Sequence, residues 1–335
     1  MSQETPRNDI ESLSLGFLST VEVTENHSRY MMYKNFGTLQ ENQRKRRNDV
    51  IQRQREARMK KMEEARTTAE PVEEEQDEDT DGFMEVDRRR RTKSQSEDGD
   101  KRHRAKFHRN DMKGRLMYSE WLIDIPEDIS ENWLALPAPA GKRVLVLAEH
   151  QYTFIYDKKG SQLSRFKSTL NNRSQTSLID GILTRNTIYV IDYLTTNDLP
   201  LEECEYDCRR MMGSSFLREN GVFNNSFGQF KFVELPAVKA SKEELTKLMA
   251  QTYDYELDGI LFYYTKCHYY SGQTPLAVWL KPWMMPEILG VSINPIYQKE
   301  TGQTPQEFIS EFHKKHPTYG LPITRKEHRQ SETEH

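Results

Sequence analysis

The sequence has few cysteines, no long apolar run and no excess of either charge. Three of its 335 residues are cysteine, which is too few for a disulfide framework and favours a reducing compartment. No apolar stretch approaches membrane-spanning length, and the first residues lack the form of a signal peptide. We therefore expect a soluble cytoplasmic or nuclear protein. The formal net charge of -4 says little, because acidic and basic blocks cancel along the chain.

Signatures of metal and nucleotide chemistry are also missing from the sequence. Cys204 and Cys208 are separated by three residues, and Cys267 is followed by His268, so the four well-placed ligands of a zinc site are not apparent. There is no phosphate-binding P-loop and no G-x-G-x-x-G fingerprint. We predict neither a bound metal nor a cofactor.

Composition separates a polar arm from a globular region. Charged residues make up 30% of the chain, and most of the excess precedes residue 115. Alternating or apolar runs predict strands in the globular region, and a capping-box start predicts a helix at residues 241–251. The predicted parts are a flexible start (1–27), a helical region (28–68), a charged disordered linker (69–113), a domain (114–297) and a polar disordered tail (298–335). The predicted strands are 143–148, 187–193, 230–235 and 259–264, with turns at Gly160, Gly181, Gly221 and Gly228.

Residues 38–66 predict a long basic helix. Thr38 and Glu41 have the spacing of a capping box, and neither proline nor glycine follows before the end of the segment. Val50, Ile51 and Met59 are too few apolar residues to hold such a helix against a core, so we expect an acidic partner. A solvated helix or a nonspecific nucleic-acid arm would have the same composition.

The helix and the basic, aromatic segment before it resemble the importin-β-binding domain of importin-α and of the snurportin family. The resemblance implies that the helix binds inside the acidic solenoid of importin-β. The implied contacts are Arg29, Tyr33, Lys34, Arg44, Lys45, Arg46, Arg47, Arg53, Arg55 and Arg58. Near the start, Ile10, Leu13, Phe17, Val21 and Val23 have roughly the spacing of a leucine-rich export signal. The resemblance favours an exportin as a second partner, whereas the spacing alone fits a tail with scattered apolar residues equally well.

The globular region resembles the cap-binding domain of the snurportin family in several segments that occur in the same order. These are MYSEWLIDIP at residues 117–126, GKR at 141–143, and the stretch 258–282, which begins DGILFYY and ends PLAVWLKP. The resemblance implies an α+β, guanylyltransferase- or nucleotidyltransferase-like domain of antiparallel sheets with flanking helices. It also implies that the domain binds the 2,2,7-trimethylguanosine cap of spliceosomal U snRNAs. The implied cap contacts are Ser119, Trp121, Ala138, Arg143, Lys158 and Trp279.

The enzymes of this fold use a Lys-x-Asp-Gly motif, whose lysine attacks the nucleotide phosphate. Here Ala138 stands at the nucleophile position and Ala140 at the acidic position, and Trp279 replaces the first residue of a Lys-x-Lys motif. The acidic residue and glycine at Asp258 and Gly259 are retained. We therefore predict binding without catalysis. Two alternatives remain open. One is a nucleotidyl transferase with an RNA-binding tail, and the other is a nuclear protein whose arm is only its own localisation signal.

A tryptophan at position 279 suits a methylated guanine, which is cationic and stacks well on indole. The two additional methyl groups of the trimethylated base favour an apolar wall, a role that the resemblance assigns to Trp121, with Ser119 hydrogen-bonding the base. Arg143 and Lys158 would face the phosphates, and Lys159 is the alternative to Lys158. Either tryptophan is also compatible with an ordinary core position. The sequence thus predicts an import adapter that links U snRNPs to importin-β and shuttles between nucleus and cytoplasm, without membrane contact.

Overall fold

A computed structural model describes residues 28–68, 112–170, 175–298, 302–316 and 319 of the chain, with side chains in the first helix from residue 37 to 67. The predicted export signal and most of the predicted linker lie outside the described residues. Within these ranges, every helix is too short or too polar to span a lipid bilayer. The same residues contain no group of three potential metal-ligating side chains from His, Cys, Asp and Glu.

In the part of the chain that the structure describes, thirteen strands form two sheets that are mainly antiparallel. They are β1 (Met117–Trp121), β2 (Trp133–Pro139), β3 (Lys142–Glu149), β4 (Tyr152–Tyr156), β5 (Gln162–Lys167), β6 (Thr176–Thr184), β7 (Thr187–Thr196), β8 (Leu199–Pro200), β9 (Ser226–Phe227), β10 (Phe230–Glu234), β11 (Val238–Lys239), β12 (Leu257–Tyr264) and β13 (Gly272–Leu280). The first sheet has the order β1-β13-β12-β2-β11. The second has the order β5-β4-β3-β6-β7-β10-β9, and β8 pairs with β7. The predicted α+β class with antiparallel sheets is confirmed.

Helices flank the sheets and extend beyond them at both ends of the described chain. They are α1 (Ser28–Thr68), α2 (Ile129–Asn132), α3 (Tyr206–Glu219), α4 (Lys242–Ala250), α5 (Met285–Leu289) and α6 (Pro305–Lys315), with 3-10 turns at Val222–Asn224, Pro282–Met284 and Pro295–Tyr297. Helix α4 confirms its prediction, because the Ser241 side chain accepts a hydrogen bond from the Glu244 amide and caps the first turn. Leu245, Leu248 and Met249 of this helix are buried, as their spacing predicts.

The main core lies between the two sheets. Leu136 of β2 and Leu261 of β12 belong to the same buried cluster as Leu145 of β3 and Ile191 of β7. A second cluster, on Val144, Val146 and Val190, covers the other face of the larger sheet. The larger sheet is therefore apolar on both faces, which explains why its strands read as continuous apolar runs in the sequence.

The four predicted strands all form, but the turn predicted at Gly181 is wrong. Gly160, Gly221 and Gly228 have positive φ angles, as expected for turns, whereas Gly181 lies inside β6. A Cβ atom at Gly181 would come within 2.8 Å of the Tyr189 carbonyl oxygen. The glycine is therefore used for close packing of β6 on β7 and not for a change of chain direction.

Three predicted boundaries need correction. Helix α1 begins at Ser28 and runs through Gly37, so Thr38 is an interior residue and not the N-cap. Met112, assigned to the linker, is buried in the core. The tail predicted to be disordered from residue 298 contains α6, which starts with a full capping box between Thr304 and Glu307. The signal for α6 was present in the sequence, since Thr-Pro-Gln-Glu combines an N-cap, a proline at the first helical position and an acidic residue three positions on.

Candidate cap-binding site

Trp121 and Trp279, the two tryptophans predicted to contact the cap, lie side by side in the structure. They are paired residues of the parallel strands β1 and β13. Their rings are stacked, with centroids 4.3 Å apart and planes at 24°. Trp121 is 2% exposed, whereas Trp279 is only partly buried. Two rings in direct contact leave no space for a base between them, so in this arrangement a base approaches Trp279 from elsewhere.

The retained acidic-glycine pair and Lys281 also lie beside Trp279. A Cβ atom at Gly259 would lie 2.7 Å from the Trp279 ring, so glycine is required for this ring position. The Lys281 ammonium lies 4.9 Å from the centre of the same ring and is paired with the carboxylate of Asp258. A cation over an indole occupies the position that a cationic methylated guanine would take. Of the groups on this ring, the long Lys281 side chain is the most easily moved.

The unpredicted helix α6 covers Trp121. Phe308 and Phe312 each present a ring edge to its indole, with centroid distances of 5.7 and 5.5 Å. Beyond α6, the Tyr319 hydroxyl donates a hydrogen bond of 3.0 Å to the backbone carbonyl of Ser119. Helix α6, which starts 25 residues after the end of β13, therefore forms one side of the site predicted from β1 and β13.

The indole N–H of Trp121 is buried without a hydrogen-bond partner among the described residues. An unsatisfied buried donor of this kind costs roughly 1–3 kcal/mol. An acceptor atom on a ligand would remove that penalty. In this arrangement the N–H is out of a ligand's reach, because Trp121 is 2% exposed and lies under Phe308 and Phe312.

Arg143, predicted to bind cap phosphate, is already held by protein groups. It makes two hydrogen bonds to the buried Asp180 carboxylate, at 2.7 and 2.8 Å, and lies 3.3 Å from the Tyr263 hydroxyl. It also donates to the Met117 carbonyl at the start of β1. Its guanidinium therefore ties the two sheets together at the end of β1 away from Trp121.

The other predicted cap residues are placed differently from one another. Ala138 is buried in β2 and pairs with Gly259 of β12, so it lies close to the Trp279 side of the sheet. Lys158 is exposed in the turn between β4 and β5, and none of the contacts found in the described residues joins it to the tryptophans. Lys142, next to the glycine of the motif, is also exposed. At the position of the enzyme nucleophile, the chain presents the methyl group of Ala138.

Cys267 is a structural residue of the core. Cys267 is fully buried, and its backbone carbonyl accepts a 2.6 Å hydrogen bond from Arg209. The Arg209 guanidinium also makes two bonds to the buried Asp192 carboxylate. Burial raises the pKa of the Cys267 thiol to about 12, so it stays neutral at physiological pH. A neutral buried thiol is a poor metal ligand and a poor nucleophile.

Helix α1 docks on the domain beside the tryptophans, mainly through polar groups. The side chain of Gln43 is fully buried and donates to the Trp121 carbonyl at 2.7 Å and to Glu120 at 3.0 Å. Its oxygen accepts from the amides of Ile123 and Asp124. One glutamine thus satisfies the backbone of the chain that leaves β1, the edge strand of the smaller sheet.

Arginines of α1 pair with two buried carboxylates beside this glutamine. Arg46 pairs with Glu120, while Arg44 and Arg47 both pair with Asp124. Glu120 and Asp124 are 2% and 3% exposed, so neither carboxylate is left for another partner. Burial raises the pKa of Glu120 above its usual value, and Arg46 opposes that change. The expectation that α1 has too few apolar residues to dock on the core is wrong, because hydrogen bonds and ion pairs hold it and Leu39, Val50 and Ile51 pack against the main core.

The remaining basic residues of α1 fall into two groups. Arg58 and Lys61 pair with Glu205 and Glu203 near the start of α3. Lys45, Arg53 and Arg55 are exposed on the helix. Arg29, Tyr33 and Lys34 belong to the described helix backbone, but their side chains lie outside the described residues.

Comparison with known protein families matches the globular domain and not the helices at either end. A family model described as "Snurportin1, m3G cap-binding domain" matches residues 115–282, half of the chain. Among solved structures, the chain is similar to the ligase domain from M. tuberculosis LigD, with 14% identity and a TM-score of 0.35 over 52% of this chain and 60% of that one. It is also similar to the Chlorella virus DNA ligase-adenylate, with 14% identity and a TM-score of 0.34 over 50% and 67% of the two chains. The chain thus spans about 60% of the ligase domain from M. tuberculosis LigD.

The family match covers the part of the chain that holds the tryptophan pair. The matched segment starts just before β1 and ends just after Trp279 and Lys281, so it contains both tryptophans. The chain belongs to the snurportin family and carries its m3G cap-binding domain. Helices α1 and α6 lie outside the matched segment.

Proposed function

We propose that the protein is a nuclear import adapter that binds the trimethylguanosine cap of U snRNAs and connects U snRNPs to importin-β. The observation that supports it most directly is the combination, in a cap-binding domain, of a partly exposed Trp279 with a basic helix docked beside it. In this proposal the protein shuttles between cytoplasm and nucleus, and an exportin that recognises the N-terminal apolar residues returns it.

Cap recognition takes place at Trp279. The methylated guanine replaces Lys281 over the indole, because both are cations and the base adds stacking area. The buried Trp121 behind the Trp279 ring supplies the apolar neighbour for the methyl groups. Lys281, once displaced, remains close to the phosphates.

The protein does not act as a nucleotidyl transferase in this proposal. Ala138 provides no amine for a covalent nucleotide, and Lys281 is paired with Asp258. Incubation with radiolabelled GTP and a divalent metal is expected to leave the protein unlabelled. A covalent guanylate adduct would contradict this part of the proposal.

Importin-β binding and docking of α1 on the domain draw on the same arginines. Arg46 and Arg47 are largely buried against Glu120 and Asp124, so they become available to an acidic partner only when α1 leaves the domain, whereas Arg44 pairs with Asp124 but stays 62% exposed. The exposed basic residues of the helix provide the first contact, and long-range attraction to an acidic surface speeds that encounter.

The cap half of the proposal is tested by anisotropy of a fluorescent trimethylguanosine cap analogue. Trp279→Ala is expected to weaken binding roughly tenfold or more, since stacking on an aromatic ring contributes roughly 1–3 kcal/mol. Trp133→Phe is the matched control, because Trp133 is buried away from the site and bonded to Asp128. Equal affinities of the wild type for trimethylated, monomethylated and unmethylated caps would refute cap selectivity.

The importin half is tested by binding of purified importin-β to the full chain. Changing the exposed Lys45, Arg53 and Arg55 to glutamate is expected to reduce importin-β binding severalfold and to spare cap binding. Asp124→Asn is expected to have the opposite effect on importin-β, because it loosens α1 from the domain. Loss of cap binding and importin binding together in the glutamate variant would contradict two separable modules.

A further inference from the structure

An aromatic cleft borders the cap-binding site but does not include its tryptophans. It has a volume of about 490 Å³ and is lined by Tyr253, Tyr255, Trp283 and Tyr297, with Asp258 and Lys281 among its polar groups. This volume is in the range of sites that hold small ligands, about 300–1,000 Å³. Lys281 belongs to both places, since its ammonium lies over the Trp279 ring and its side chain lines the cleft.

The three tyrosines of the cleft are held rigidly. The hydroxyl of Tyr253 donates to the Leu248 carbonyl at 2.9 Å, and that of Tyr255 donates to the Pro137 carbonyl at 3.0 Å. The Tyr297 hydroxyl donates to the Gln251 carbonyl at 2.8 Å. Each ring is therefore fixed at its polar end, while its body remains only partly buried. Ring faces fixed in advance lose little conformational entropy when a ligand stacks on them.

The chemistry of the cleft fits a nucleobase. The rings of Tyr253 and Tyr255 are stacked, with centroids 5.1 Å apart and planes at 23°. Flat rings of this kind bind the faces of unpaired RNA bases. Glu256 and Asp258 offer carboxylate oxygens that accept hydrogen bonds from base amino groups. Lys281 lines the cleft and lies over the Trp279 ring, which suits the phosphate that joins two nucleotides.

We propose that this cleft binds a nucleotide of the RNA body, downstream of the first nucleotide attached to the cap. The inference rests on the proposed function, because it requires the cap to be bound at Trp279. RNA then leaves the Trp279 ring past Lys281 and places a base on the tyrosine faces. The protein would thereby read a short capped 5′ end, and not the cap alone.

The test compares two ligands on the full-length protein. The first is a trimethylguanosine cap dinucleotide, and the second is a single-stranded RNA of five nucleotides with the same cap. Binding is measured by quenching of tryptophan fluorescence. We expect the capped pentanucleotide to bind roughly tenfold more tightly, which is within the effect of stacking one base on an aromatic ring. The uncapped pentanucleotide is expected to bind weakly.

The variant Tyr253→Leu/Tyr297→Leu is expected to remove the gain of the longer ligand and to keep the affinity for the dinucleotide. Unchanged dinucleotide binding also reports that the variant is folded. Tyr270→Leu is the matched control, since Tyr270 is an exposed tyrosine beside His268 and outside the cleft. This control is expected to retain the full gain.

The outcomes separate the inference from the function on which it rests. Equal affinities of the wild type for both capped ligands, or a gain that survives in the double variant, would overturn the inference and leave cap binding intact. No binding of either capped ligand would refute the proposed function and the inference together. Saturable binding of a proline-rich peptide that needs Tyr253 and Tyr297, without any effect of RNA length, would assign the cleft to a peptide and overturn the inference.

Discussion

Helices α1 and α6 both pack beside the tryptophan pair from outside the family segment, but they do so with opposite chemistry. Helix α1 uses a buried glutamine and three arginines, whereas α6 uses the ring edges of Phe308 and Phe312. Ion pairs and hydrogen bonds are exchanged readily for equivalent bonds to water or to another acidic protein. Aromatic contacts have no such substitute in water, because exposing the rings is itself unfavourable. The comparison therefore suggests that α1 is the releasable helix and α6 the structural one, although the two helices contact each other beside the site.

The largest expected effect on stability comes from removing the aromatic contacts of α6 with Trp121. Phe308→Ala/Phe312→Ala takes away both ring edges on Trp121 and should lower the free energy of unfolding by about 3 kcal/mol, a typical loss for truncated aromatic residues. Urea unfolding followed by tryptophan emission measures it, and the native emission should shift to the red as water reaches Trp121. The control Tyr270→Ala removes an exposed ring elsewhere. An unchanged midpoint and emission would mean that α6 does not cover Trp121 in solution.

A smaller effect is expected from weakening the contact of α1 with the domain. Gln43→Leu keeps volume and helix propensity but removes four hydrogen bonds with the chain at β1, so docking of α1 should weaken by about 2 kcal/mol. Hydrogen exchange of the α1 amides should rise, while that of β12 stays the same. Gln52→Leu makes the same change at an exposed position bonded only within the helix, to Glu56. If both variants exchange equally fast, α1 is not held by Gln43.

The smallest expected effect is a pH dependence of the docking of α6 on Trp121. Burial lowers the pKa of His313 on α6 below its usual value of 6.5, with Arg46 of α1 acting in the same direction. Because the pKa of His313 is lower when α6 is docked than when it is released, protonation of His313 favours the released state. Docking is therefore fully present above pH 6.5 and weakens as the pH falls from 6.5 toward the lowered value.

Tryptophan emission recorded between pH 7.5 and 5.5 measures this change, and a modest red shift is expected toward the acidic end. His313→Leu removes the titrating group, so its emission should stay level over the same interval. A shift of equal size in the variant would assign the pH dependence to another group and not to α6.

Trp121 and Trp279 lie far apart along the chain but side by side in the structure, and their role in cap binding stays a prediction. Resemblance to a family placed them, and the pairing of β1 with β13 then brings them together. Their mutual stacking was not predictable, since it depends on the register of a parallel pair and on the missing side chain of Gly259. The same holds for Arg143, whose partner Asp180 lies on a neighbouring strand, 37 residues away.

The sequence by itself determined where the strands form and that α1 is basic, because both depend on local pattern and composition. It also showed that alanine, and not lysine, stands at position 138. The tertiary structure alone decided where the arm and the tail go. Gln43, Glu120 and Asp124 carry no signal in the sequence, since a polar residue becomes a buried partner only when a distant segment meets it. Helix α6 had its capping box in the sequence, but the contact of Phe308 and Phe312 with Trp121 required the folded domain. Local signals start and stop helices, whereas long-range packing determines which surface each helix covers.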